Sequence, residues 1–390
     1  MKRSLVLLFL MGWWLPISVV AQDKASRSSD ETYFPGRWGE WETRDAEAVG
    51  MNAAKLAEAV EFAKKSENPA SRDLSEVVAL SFANEPFDTI VGPTKERGAA
   101  NGLIVRKGFI VAEWGDTKRV DMTFSCTKSY LSTVAGLAMD DGLIRNANDR
   151  LKDYVRDGKF DSEHNAKITW EHLLQQTSDW SGTLWDKPDW ADRPRGRDRT
   201  KWKNRKLNEP GSFFKYNDVR VNLLAFSLME LYRKPLPVVL RERIMNPIGA
   251  SPTWRWHGYK NSWVTLDGQS MQSVSGGGHW GGGMFICSRD HARFGYLFLR
   301  DGQWRGKQLI SKDWIKALQV PAKANPEYGY MWWLNTGQKR IKSAPASAFN
   351  ASGFGGNYVY VDQENDLLIV LRWTPDLAGV VEKVLAAIDK

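Results

Sequence analysis

The sequence predicts an α+β fold: an antiparallel β-sheet flanked by N- and C-terminal helices, with an all-helical lobe inserted in the chain. Three observations carry this prediction. Apolar residues recur at helical spacing near both ends, in "NAAKLAEAVEFAKKS" from Asn52 and in "AGVVEKVLAAID" close to the C-terminus. β-rich runs follow the first helix and crowd the last third of the chain. A long stretch of helical segments and loops separates the two sets of strands, so one lobe interrupts another.

The elements follow in order. Lys2 and Arg3 precede the apolar run "SLVLLFLMGWWLPISVV", which ends at the small-residue site Val19-Val20-Ala21. This pattern predicts a secretory signal peptide over residues 1–21, cut before Gln22. The protein is then expected to be exported, periplasmic or extracellular, with no membrane span once the signal is removed. No cysteine follows the apolar run, so no lipid anchor is indicated. Residues 22–49 read as a polar linker or extension, and residues 50–390 as one domain. After the helix at Asn52, "GLIVRKGFIVAEWGD" holds two β-rich runs around Arg106-Lys107-Gly108, a hairpin signal. "YLSTVAGLAMDDGLI" is helical with an Asp-Asp-Gly stop. From about residue 146 to residue 260 helical segments and loops predominate, including "ITWEHLLQQTS" and "DVRVNLLAFSLMELY". The inserted lobe is accordingly placed at about residues 135–265. Strand-like runs return in "GGMFICS", "YGYMWWLN", "NYVYVD" and "DLLIVLRW".

Composition excludes several classes. The formal charge is +8, and loss of Lys2 and Arg3 with the signal lowers it by two. Much of the excess lies in "RPRGRDRTKWKNRK", Arg193 to Lys206, whose Asp and Trp interruptions and lack of a binding motif argue against a nucleic-acid partner. Cys126 and Cys287 are the only cysteines and are expected to be buried thiols. The five histidines show no metal-ligand spacing, and no Gly-x-Ser-x-Gly elbow occurs. His279, inside a glycine-rich run, reads as a turn histidine.

Ser-x-x-Lys occurs twice, at Ser125/Lys128 and Ser212/Lys215. About two matches are expected by chance, so context must separate them. Ser212 follows Pro-Gly in a turn. Ser125 opens a predicted helix, where positions i and i+3 share a face and the amine can reach the hydroxyl. A serine hydroxyl needs a base to become a nucleophile, and lysine serves when burial or nearby positive charge leaves its amine neutral. The helix start also aims N–H groups where an oxyanion forms. Cys126 lies about 100° around the helix from Ser125 and should pack. Further on, "FFKYNDVRVNLL" sets Tyr216, Asn217 and Asp218 before another helix, and a tyrosine beside an amine can relay a proton. "ASGFGGNYVYVD" supplies glycines opening a strand, where bare backbone can approach a substrate. Trp170, Trp180, Trp185, Trp190 and Trp202 lie between the first two groups, either as pocket walls or as lobe packing.

Taken in chain order, Ser125-Cys-Thr-Lys128, Tyr216-Asn217-Asp218 and Ala351-Ser352-Gly353 resemble the three motifs of the serine β-lactamase and penicillin-binding-protein superfamily: Ser-x-x-Lys, Tyr-x-Asn and Lys-Thr-Gly or His-x-Gly. The likeness runs from about Leu103 to the C-terminus and is strongest to class C-like esterases and 6-aminohexanoate-dimer hydrolases. It implies Ser125 as nucleophile, Lys128 as base and Tyr216 as proton relay. It further implies an oxyanion between the N–H groups of Ser125 and Phe354, and substrate contacts from Asn217, Asp218, Ser352 and Gly353. Neither a metal nor an organic cofactor is required. Two positions depart from the pattern. Ala351 replaces a cation that holds a β-lactam carboxylate, and Asp218 replaces an asparagine. The expected substrate is therefore a small ester or linear amide. The alternatives are a D-Ala-D-Ala carboxypeptidase (a penicillin-binding protein) and a non-catalytic binding or sensor protein. No sequence feature sets an oligomeric state.

Overall fold

Six antiparallel strands form the frame, in the spatial order Trp333–Leu334, Phe349–Gly353, Asn357–Asp362, Leu367–Arg372, Asn101–Arg106 and Phe109–Trp114. The computed structural model describes residues 32–194, 198 and 200–389, so the expected signal peptide lies outside the described residues. Among them, no helix is long and apolar enough to cross a membrane. The predicted hairpin is present: Lys107 and Gly108 both take positive φ, the two-residue turn whose twist matches that of the strands it joins.

Both faces of the sheet are covered, which explains the unbroken apolar run from Leu367 to Leu371. Ile104, Leu367, Ile369 and Leu371 pack toward the terminal helices Ala53–Lys65 and Leu377–Ala386. The first of these starts where Asn52 accepts a hydrogen bond from the Lys55 N–H. Leu103, Val105, Leu368 and Val370 enter the larger core with helix Ser288–Leu299. That helix is absent from the sequence reading. It lies so close to the sheet that a Cβ on Gly295 would collide with Val359 and Leu368.

A second sheet runs Asp121–Met122, Gly283–Ile286, Arg255–Leu266, Gln269–Val274. It corrects the expectation of helices and loops up to residue 260, because the hairpin of its last two strands turns at Asp267-Gly268, both at positive φ. The helical lobe thus ends before Arg255, and it also holds a short ribbon, Thr183–Leu184 with Lys187–Pro188. Of "YGYMWWLN" only Trp333–Leu334 forms a strand. The glycines of "ASGFGGNYVYVD" close one strand and turn into the next rather than opening one. Helices Leu74–Phe82 and Lys312–Leu318 were also unforeseen. From Tyr33 onward the expected linker is part of the fold: the Tyr33 ring stacks on Phe109, and the Trp41 indole donates to the Gly108 carbonyl at 2.8 Å.

One buried side chain joins the two sheets. The Arg372 guanidinium, at the end of a central strand, donates to Asn357 Oδ1 at 2.6 Å, Ile286 O at 2.8 Å and Met122 O at 2.9 Å. Arg372→Met leaves these acceptors unpaired in a dry interior and is expected to cost at least about 2 kcal/mol. Arg372→Lys should recover little, because an ammonium lacks the planar fork that spans three acceptors. Urea unfolding measures both, and a parental midpoint for Arg372→Met would contradict the assignment.

Candidate active site

The segment Thr123–Thr127 is held on all sides. The Thr123 N–H donates to Met284 O at 2.9 Å, and Met284 N–H donates to Thr127 Oγ1 at 3.0 Å, tying the segment to the second sheet. Thr123 Oγ1 meets His291 Nε2 at 2.7 Å, and His291 Nδ1 meets the Tyr130 hydroxyl at 3.0 Å. Burial pushes His291 well below the ordinary histidine range, so it serves as a neutral pillar. Phe124 takes φ +49°, a left-handed conformation that is costly for a bulky residue and persists only when its surroundings fix it. Ser125 stands in the 3₁₀ turn Phe124–Cys126, which leads into helix Thr127–Asp140.

That turn brings the predicted pair together. Lys128 Nζ donates to Ser125 Oγ at 2.9 Å and to Asp218 Oδ1 at 2.8 Å. Its amine lies over the Tyr216 ring, 4.6 Å from the centroid. The other Ser-x-x-Lys match forms no such pair: Ser212 donates to Glu209 O, and Lys215 Nζ donates to Arg193 O. Gly353 explains the approach of the third motif, because a Cβ there would collide with Thr123 O. A cavity of about 390 Å³ opens at this point, with Ser125, Tyr216, Ser352, Gly353, Phe354 and Arg193 in its wall. Its other aromatic walls are Trp333 and Tyr358.

Several predicted residues sit elsewhere. Asn217 is fully buried and structural: its side chain accepts from Arg220 N–H at 3.1 Å, capping helix Asp218–Tyr232, and donates to Asp189 O at 2.7 Å. Asp218 is buried behind the wall and meets Lys128 rather than the cavity. None of the five lobe tryptophans lines the cavity, and Trp170 and Trp180 are core residues. Cys126 and Cys287 are free and buried, and burial raises each thiol to about 12.

A charge network unforeseen from sequence surrounds the pair. Arg193 Nη1 lies 2.5 Å from Asp192 Oδ1 and 3.5 Å from Asp218 Oδ1. Asp192 also accepts from the Asp218 N–H. The His279 N–H donates to Asp218 Oδ2 at 3.2 Å, while its Nε2 lies 2.7 Å from Glu85 Oε2. Burial pulls the Lys128 ammonium below the ordinary lysine range; Asp218 opposes this shift and Arg193 reinforces it. Burial alone would raise Asp218, but Lys128 and Arg193 hold it far below the usual carboxylate range. Burial, with Asp218 alongside, raises Tyr216 so far that its phenol stays protonated. Ligand atoms of Glu85, Asp192 and His279 lie within 4.8 Å of one another. The Arg193 guanidinium on Asp192 repels a metal ion there, and we assign none. The glycine-rich run around His279 was one signal for this network, whereas nothing in the sequence marks Arg193 within its basic segment.

A family model described as Beta-lactamase matches residues 87–377. The chain belongs to the beta-lactamase family. An uncharacterized protein of Alkalihalophilus pseudofirmus is 22% identical over 334 residues, covering 73% of this chain and 88% of that protein. This beta-lactamase family member shares its fold with a family VIII carboxylesterase (TM-score 0.56, 17% identity, 87% of this chain and 98% of the other). It also superimposes on a penicillin-binding-protein homolog from Caulobacter crescentus (TM-score 0.53, 17% identity, 87% and 97%). A Bacillus anthracis protein provisionally described as a 6-aminohexanoate-dimer hydrolase covers 91% of this chain and 86% of its own length (TM-score 0.54, 16% identity).

Gly277 is the tightest point of this family member's site, since a Cβ there would strike both Lys128 Nζ and Asp218. Gly277→Ala is expected to separate the ion pair and lower stability by about 1–3 kcal/mol. Urea unfolding measures the loss, and a parental midpoint would show that the pair has room to spare.

Proposed function

We propose that the protein is an exported serine hydrolase that cleaves a small ester or linear amide through an acyl-enzyme on Ser125. The observation that carries this reading is the 2.9 Å contact between Lys128 Nζ and Ser125 Oγ at the wall of a cavity. When the Lys128 amine is neutral, it keeps one N–H on Asp218 and turns its lone pair to the serine hydroxyl. Ser125 Oγ then bonds to the substrate carbonyl carbon as its proton passes to Lys128. The oxyanion forms toward the N–H groups of Ser125 and Phe354. As it collapses, the C–O or C–N bond breaks, and Tyr216, a protonated phenol over the amine, hands a proton to the leaving atom and takes one from Lys128. Water repeats the sequence on the acyl-enzyme and frees Ser125. Likeness to a carboxylesterase fold supports the ester reading, and the glycine-rich third motif supports an oxyanion site.

A fluorophosphonate probe with intact-mass readout is expected to add one adduct to the parent and none to Ser125→Ala. An adduct that survives the substitution would refute the nucleophile. Lys128→Met is expected to lower kcat/KM on p-nitrophenyl esters by about 10²–10⁴-fold.

Asp218 raises the Lys128 pKa, so Asp218→Asn should lower it further. The acid limb of the kcat/KM profile then moves to lower pH, alongside a reduced maximum. A shift to higher pH would exclude Lys128 as the group that must lose its proton.

A further inference from the structure

Ala351, buried in the core, brings no charge to the cavity, yet the cavity is not without a cation. Among its described wall residues Arg193 is the one charged group, and its side chain keeps 32% of its surface exposed. The two carboxylates beside it, Asp192 and Asp218, have none exposed. Of these three charged groups, the guanidinium is thus the one that a molecule in the cavity can touch, with its counter-charges on the buried side. Its contacts with Asp192 and Asp218 both use Nη1, which leaves the Nε and Nη2 edge without a hydrogen-bond partner among the described residues. A planar guanidinium edge of this kind suits a carboxylate, which it grips through two N–H groups.

The surroundings fix the side chain in place. Arg193 takes φ +48°, a left-handed conformation for a residue with a long side chain, and Lys215 Nζ donates to its carbonyl. Its guanidinium lies 5.3 Å from the Tyr216 ring centroid and 5.8 Å from that of Phe82. Successive contacts of 3.5, 2.8 and 2.9 Å connect it through Asp218 and Lys128 to Ser125 Oγ. A group on Arg193 is thus a short chain away from the scissile carbonyl.

We propose that Arg193 is a specificity-determining residue that recognises a carboxylate on the substrate, so that the preferred ester or amide is anionic. The proposal builds on the acyl-enzyme reading above and narrows it. It adds a charge to the small ester or linear amide expected from the sequence. The cation absent from the third motif is supplied from the helical lobe.

The test uses p-nitrophenyl esters of one chain length: the monoester of adipate, the neutral hexanoate, and a quaternary-ammonium pentanoate. The wild type is expected to favour the adipate ester over the hexanoate in kcat/KM. Arg193→Gln should lower that ratio about 10-fold or more, with Arg193→Lys in between. The ratio is read because loss of Arg193 also raises the Lys128 pKa and slows every ester. An unchanged ratio in Arg193→Gln, or a wild-type preference for the ammonium ester, overturns the proposal. Calorimetry of adipate on Ser125→Ala and on Ser125→Ala/Arg193→Gln needs no turnover. If no ester is cleaved but adipate binds and the second substitution weakens it about 10-fold, the acyl-enzyme reading fails and the carboxylate subsite stands. Equal binding to the two proteins overturns the subsite, whatever the kinetics.

Discussion

A lysine that is to act as a base must be withdrawn from water, and an ammonium withdrawn from water must be compensated. Lys128 meets both demands at once, and much of the surrounding structure follows from that. Burial pushes its pKa down, Asp218 at 2.8 Å pulls it up, and Arg193 behind Asp218 pulls it down again. Each added charge needs a partner in turn, so Asp192 answers Arg193, and backbone N–H groups of Asp218 and His279 answer the carboxylates. The bare backbone of Gly277 is the packing counterpart of this arrangement, because no side chain fits beside the pair.

The same constraint organises the frame. A 2.9 Å contact over three residues of chain demands a fixed turn, and the turn around Ser125 is pinned by both sheets and by His291. Arg372 extends this scaffold by holding Met122 and Ile286 against the large sheet. The unfavourable φ of Phe124 is borne by this over-determined setting rather than by any local sequence preference.

What the sequence revealed, and what it hid, follows from the range of the interactions involved. Ser125, Lys128 and the helix start are local: a spacing of three on one turn is visible in the letters. The terminal helices and the Lys107-Gly108 hairpin are likewise local patterns. Helix Ser288–Leu299 was hidden because it carries Gly295, a poor helix former, and buries Asp290, His291 and Arg293, polar residues that the letters alone do not mark as interior. The Asp267-Gly268 turn was a legible hairpin signal that the helical reading of the lobe passed over. Asn217 looked like part of a motif and is a helix cap, since asparagine before a helix serves either purpose. Arg193 could not be singled out among the basic residues of its segment. Its importance comes from Asp218, Phe82 and Tyr216, which only the tertiary fold brings to it.

Arg193 and the proposed catalytic pair stand on different parts of the chain. Ser125 and Lys128 are fixed by the two sheets, whereas Arg193 precedes the helix Thr200–Lys203 in the lobe and is steadied by Lys215. In a protein whose cation stood on the strand Phe349–Gly353, altering it would disturb the strand that abuts the turn around Ser125. Here, on the proposed reading, a change at Arg193 spares the strand beside Ser125 but alters the charge facing Asp218, so substrate choice and the basicity of Lys128 change together. Exchanging the substrate charge at Arg193 would therefore call for a second change beside Asp218 to keep the lysine amine as ready as before.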